Sequence, residues 1–243
     1  MKTQTTLRIA IAALVFLSCP LASVLGTTTS FFDGFDQTLS TAWAVSTETP
    51  GSSVLQENGY VQVVNGGAII NNLEFLAPTT LETRFQLTNN ERSNLKYVLR
   101  SDGVKYFAER KGVAVQLSSR MDWEGYINQV ALFEIGSSSP VPVVLVTTPL
   151  NLNTWYDLKI VDYSDKVEVY FNGATTPTAS ISTSYSAGSK LAIYNRHGGA
   201  DGSWISEGGT ARVDYISIVP EPSALSLLAV GLSGLAMLRS RRS

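Results

Sequence analysis

Apolar and polar residues alternate with a period of two through the middle of the chain. The pattern is clearest at Leu81-Glu82-Thr83-Arg84-Phe85-Gln86-Leu87, where the apolar and Thr positions share one side and the charged or amide positions the other. That period predicts a half-buried antiparallel strand. Val113-Ala114-Val115-Gln116-Leu117 and Val167-Glu168-Val169-Tyr170-Phe171 repeat it, and Asn172-Gly173 after the latter predicts a tight turn. Further strands are predicted at Tyr60–Val64, Ala68–Phe75, Leu95–Leu99, Gln129–Ile135, Val143–Thr147, Tyr156–Val161, Leu191–Tyr194 and Arg212–Ile218. No long segment carries a helical period, so the crossover helices of a parallel sheet are missing. Roughly a dozen short strands between Gly, Asn, Ser and Pro clusters predict an all-β fold, an antiparallel β-sandwich or jelly roll. Residues 27–218 form that one domain, with Ser137–Pro142 as an internal loop.

The two ends break the pattern. Lys2 and Arg8 precede an apolar run, Ile9–Leu17, then Pro20 and the small-residue stretch Ala22–Gly26. Residues 1–26 therefore read as a signal peptide cleaved after Gly26, with Ala22 and Ser23 as alternative sites. A lipoprotein reading on Cys19 is disfavoured by the bulky Phe16 in its upstream motif. At the far end Pro220-Glu221-Pro222 is followed by an apolar stretch, Ala224–Leu238, and by Arg239, Arg241 and Arg242. As a helix that stretch spans roughly 22 Å, a short membrane segment against a ~30 Å hydrocarbon core. The one-sided arginines place the C-terminus in the cytoplasm and the preceding domain outside.

Charge sharpens this picture. Five of the 18 basic residues and none of the 20 acidic ones lie in the two ends, leaving Thr27–Pro222 with 13 against 20, a net charge of −7. Such a balance argues against nucleic acid or an anionic membrane surface as partner. One cysteine excludes an internal disulfide, and one histidine excludes a multi-histidine metal site.

Residues 219–243, with Pro220-Glu221-Pro222, a short Gly-containing apolar helix and terminal arginines in that order, resemble the PEP-CTERM sorting signal. The resemblance implies an exosortase-type membrane transpeptidase as partner and a bacterial host of the kind that usually makes extracellular polysaccharide. It also implies that Pro220, Glu221 and Pro222 act in sorting, while Arg239, Arg241 and Arg242 fix topology.

Phe31-Phe32-Asp33-Gly34-Phe35-Asp36 with Trp43, Asn153–Ile160, Val167–Gly173 and Val213-Asp214-Tyr215-Ile216 resemble the concanavalin A-like lectin/glucanase superfamily, in its laminin G-like branch. Glucanases of that superfamily set two glutamates and an aspartate at alternate positions on one strand, but no Glu-x-Asp-x-Glu or Glu-x-Asp-x-x-Glu string occurs here. The nearest pair, Asp122 and Glu124 around Trp123, reads as a charged turn with one anchoring aromatic. His197 lacks a Gly-x-Ser-x-Gly partner and reads as a solvated loop residue. No cofactor is required; calcium is the one the resemblance admits, with Asp201 and Asn195 as candidate ligands in a stretch that otherwise reads as a turn. Trp123, Tyr126 and Trp204, in polar, Gly-flanked surroundings, are candidate carbohydrate contacts, whereas Trp43 and Trp155 read as core at strand starts.

The expected protein is thus exported to the cell envelope, outer surface or extracellular matrix, and held there transiently or stably by its C-terminal helix. Its non-catalytic sandwich is expected to bind polysaccharide. A polysaccharide hydrolase or lyase, and a scaffold without small ligand, are the alternatives.

Overall fold

The computed structural model describes residues 30–47, 51–57, 59–88, 94–103, 111–118, 129–135, 144–148, 150–195 and 209–221. The signal peptide and the C-terminal helix expected from the sequence lie outside the described residues. Among the described residues no helix is long and apolar enough to cross a membrane. Among the described residues fifteen strands run in chain order: β1 Phe31–Asp33, β2 Trp43–Thr47, β3 Ser53–Glu57, β4 Tyr60–Val64, β5 Gly67–Asn71, β6 Thr79–Thr88, β7 Asn94–Ser101 and β8 Gly112–Ser118. They continue with β9 Gln129–Ile135, β10 Val144–Thr147, β11 Trp155–Asp162, β12 Lys166–Phe171, β13 Ala179–Ser182, β14 Lys190–Asn195 and β15 Thr210–Pro220.

They form two antiparallel sheets. One has eight strands in the order β13-β12-β11-β6-β15-β4-β3, with β1 also on β15; the other has seven, β10-β9-β8-β7-β14-β5-β2. The eleven-residue β15 is long enough to share one edge between two partners. Thr210–Val213 pair with β4, and Ile216–Ile218 pair with β1, so the last strand closes beside the first. On its other edge β15 pairs with β6 along nearly its whole length, with one bulge at Asp214.

Alternation explains the interior. Leu81, Phe85 and Leu87 of β6 and Val167, Val169 and Phe171 of β12 meet Leu95, Tyr97, Val113, Val115 and Leu117 of the other sheet in one apolar cluster. Phe85 stacks on Tyr156 at 5.6 Å and meets Phe171 edge-on at 6.2 Å. The turn after β12 is the expected one: Asn172 and Gly173 take φ of 49° and 72°, the left-handed values a tight hairpin needs. Tyr97 crosses the core with its hydroxyl 3.4 Å from Thr83 Oγ1. Burial pushes this hydroxyl far above the usual tyrosine range. A folded-state pKa raised above the unfolded one gives stability that is intact below about pH 10 and lost as pH climbs beyond it. In an alkaline titration, tyrosinate absorbance from Tyr97 is expected to appear only together with loss of the folded circular dichroism signal.

Three expectations are corrected. The strand predicted over Ala68–Phe75 ends at Asn71, whose Oδ1 accepts the Leu73 N–H at 2.8 Å and turns the chain. Four strands escaped prediction, β1, β2, β3 and β13, all of three to five residues. Finally, β8 is buried on both faces rather than one, because Ala114 and Gln116 face a second buried layer.

Candidate functional site

That second layer is the outer face of the seven-stranded sheet. Its middle is apolar: Phe133, Ala114, Val98, Ala192 and Ile70 follow one another across β9, β8, β7, β14 and β5, and all are buried. One residue pair further along the strands the row becomes Ala131, Gln116, Lys96, Tyr194 and Ala68. At the end stand Gln129, Ser118 and Asn94. Polarity therefore rises toward one end of a closed face, although Lys96 is only 4% exposed and Gln116 2%. Lys96 places its Nζ 5.5 Å from the centre of the Tyr194 ring, a cation–π contact. Gln116 Nε2 donates to Ser118 Oγ at 3.3 Å.

The topology ties two of the sequence-predicted segments to this polar end. Residues 119–128 join Ser118 to Gln129, and residues 196–208 start from Asn195, which pairs with Leu95 beside Asn94. Trp123, Tyr126, Asp201 and Trp204 themselves, with Asp122, Glu124 and His197, lie outside the described residues. Asn195 is described, and its side chain is committed to backbone groups. Its Oδ1 accepts the Asn94 N–H at 2.9 Å, while its Nδ2 donates to the carbonyls of Val63 and Gly209. It is 1% exposed and splices the two sheets where β14 ends. Among the described residues no three His, Cys, Asp or Glu side chains are grouped to hold a metal ion.

Trp43 is core, as read from the sequence: it is 6% exposed and its Nε1 donates to Asp33 Oδ2 at 2.8 Å. Trp155 is not. It stands on the outer face of the eight-stranded sheet, 6.4 Å from Tyr60, with the Arg84 guanidinium 5.4 Å above its ring. Arg212 covers Tyr60 at 4.8 Å and bonds Gln62 and Gln86. Parity is the signal that finds this: Trp155 alternates with buried Tyr156, Leu158 and Ile160, so it shares a side with exposed Asp157 and Lys159. On the same face Asp157 and Asp214 flank Arg84 at 3.8 and 3.6 Å.

The sorting-motif residues sit at the end of β15. Val219 pairs with Thr80 and Pro220 with Thr79. Glu221 follows, lining a groove with Lys159, Tyr163 and Tyr170, and Pro222 with the arginine tail lies outside the described residues.

Residues 219–242 match the family model described as the PEP-CTERM protein-sorting motif. The chain carries a PEP-CTERM sorting signal. Compared by sequence with curated proteins, the chain finds no match. By structure, this PEP-CTERM chain is similar to the Bacillus licheniformis β-glucanase, with TM-score 0.59 and 10% identity over 81% of this chain and 100% of that one. Carbohydrate-binding module CBM66 from Bacillus subtilis matches with TM-score 0.53 and 14% identity, over 72% and 95% of the two chains. The exoplasmic/lumenal domain of VIP36, in its Ca2+/Man2-bound form, matches with TM-score 0.57 and 12% identity, over 80% and 88%. The fold of the sandwich is thus the concanavalin A-like one, shared by glucanases and lectins.

Proposed function

We propose that this is an exported PEP-CTERM protein whose sandwich binds polysaccharide without cleaving it, through the segments 119–128 and 196–208 that are tethered at the polar end of the outer face of the seven-stranded sheet. The observation that carries the reading is topological: the segments bearing Trp123, Tyr126 and Trp204 are tethered at one end of that sheet, at Ser118, Gln129 and Asn195, whereas Lys96, Gln116, Ser118 and Asn94 are themselves buried. Indole and phenol rings stack on sugar faces. The sorting signal supports delivery across the membrane, with Arg239, Arg241 and Arg242 fixing topology and an exosortase-type enzyme as partner. The mature protein then belongs to the envelope or the extracellular matrix. Calcium is the candidate cofactor, supported by the Ca2+/Man2-bound form of the VIP36 neighbour, with Asp201 and Asn195 as candidate ligands.

The hydrolase reading draws on the Asp157–Arg84–Asp214 group. Retaining hydrolysis needs two carboxyls about 5 to 5.5 Å apart with the scissile oxygen between them. Here the Arg84 guanidinium occupies that space, which favours a structural ion pair over an acid–nucleophile pair.

Trp123→Ala and Trp204→Ala are each expected to weaken polysaccharide binding about tenfold, the loss of roughly one stacking contact. Trp155→Ala, on the opposite sheet, is expected to leave affinity unchanged. Isothermal titration checks all three; equal losses at the three positions would remove the assigned face.

A further inference from the structure

The sorting motif begins inside the fold, with no linker between them. Proline has no N–H, so Glu221 supplies the one backbone donor of Pro220-Glu221-Pro222 as well as its one charge. Both are taken at the start of β6, one by the residue before the strand and one by Thr80 within it. The Glu221 N–H donates to the Pro78 carbonyl at 3.0 Å, and Thr80 Oγ1 donates to Glu221 Oε1. The pairs Val219–Thr80 and Pro220–Thr79 continue the ladder up to that point.

From this we infer that the sandwich masks its own sorting motif, and that the terminal residues of β15 must peel from β6 before a sorting enzyme can read it. The inference rests on the sorting reading given above. The extent of the peel is set by packing. Ile218 is 2% exposed and paired on both edges, with Leu81 and with Phe31. Val219 is 49% exposed, and beyond it β15 is held from the β6 side alone among the described residues. Freeing Val219–Glu221 releases about 10 Å of extended chain and leaves the core intact. Sheet and enzyme therefore compete for the same N–H and the same carboxylate, and the strength of the Thr80–Glu221 bond sets how often the motif is free. Thr80 is a positioning residue for sorting, acting through Glu221.

The test follows maturation of the full chain in a host that makes the sorting enzyme, by pulse-chase. Thr80→Val is expected to shorten the processing half-time, by up to about tenfold if one charge-assisted bond is lost. Insertion of a six-residue Gly/Ser spacer between Val219 and Pro220 is expected to shorten it at least as much. Unchanged half-times in both chains overturn the inference. The triple substitution Pro220→Ala, Glu221→Ala and Pro222→Ala separates the two failures, since its normal maturation would remove the sorting reading itself. Hydrogen exchange on the purified full chain in detergent gives a readout independent of the enzyme. The Glu221 amide is expected to be protected, with protection falling in Thr80→Val; an unprotected Glu221 amide in the wild type overturns the inference.

Discussion

Replacing Asp162 by alanine is expected to cost the folded protein about 3 to 5 kcal/mol, the penalty for leaving a buried charge without its partner. Arg100 belongs to β7 in one sheet and Asp162 to the end of β11 in the other, so their bond joins the two layers. Arg100 Nε and Nη2 reach the two carboxylate oxygens at 3.0 and 2.5 Å, and both side chains are 5% exposed. Each partner has a second tie: Arg100 Nη1 donates to the Tyr185 carbonyl, and Asp162 Oδ1 accepts the Ser164 N–H at 3.0 Å. Without the carboxylate, a guanidinium stays desolvated between the sheets. The loss is a large share of the ~5 to 15 kcal/mol by which domains are stable. Replacing both residues with apolar ones of similar volume is expected to cost far less, because a buried pair gains little over good apolar packing. Denaturant midpoints followed by tryptophan fluorescence distinguish the outcomes, and a near-neutral Asp162→Ala would show that the pair does not hold the sheets.

The second large effect concerns the address. With Pro220, Glu221 and Pro222 all changed to alanine, processed protein is expected to be absent in a host with the sorting enzyme, while the precursor still folds. The substitutions leave the ladder between Ile216–Ile218 and Thr83–Leu81 intact, so loss of processing would report on recognition and not on collapse of the sandwich. Mature mass by mass spectrometry and surface location by protease accessibility are the readouts. Unchanged mass and location would remove the sorting role of these residues.

Where period and turn chemistry coincide, the fold was legible in the sequence. Leu81–Leu87 and Val167–Phe171 lie within strands of the predicted parity, and Asn172-Gly173 turns as its residues require. The unpredicted strands have no such signal. Phe31–Asp33 is a strand because Ile216–Ile218 stands beside it, a partner far away in the chain. Trp155 was misread although its parity with Asp157 and Lys159 was available, since a tryptophan opening a strand was given to the core. Lys96, Gln116 and Ser118 were missed for a different reason. An outward amide or ammonium on an alternating strand normally means solvent, and only the three-dimensional packing shows that this outward side is closed. Asn195, in a stretch that reads as a loop, turned out to be buried, its polar atoms committed to three backbone groups.

A fragment from Thr27 to Glu221 keeps every described strand and the β15–β6 ladder to its end. It should be titrated against a panel of polysaccharides with and without calcium, with reducing-sugar release followed in the same samples. Saturable binding with no sugar released is the expected result. Release of reducing sugar would contradict the non-catalytic assignment, and absence of binding across the panel would contradict the assignment of a polysaccharide ligand to this sandwich.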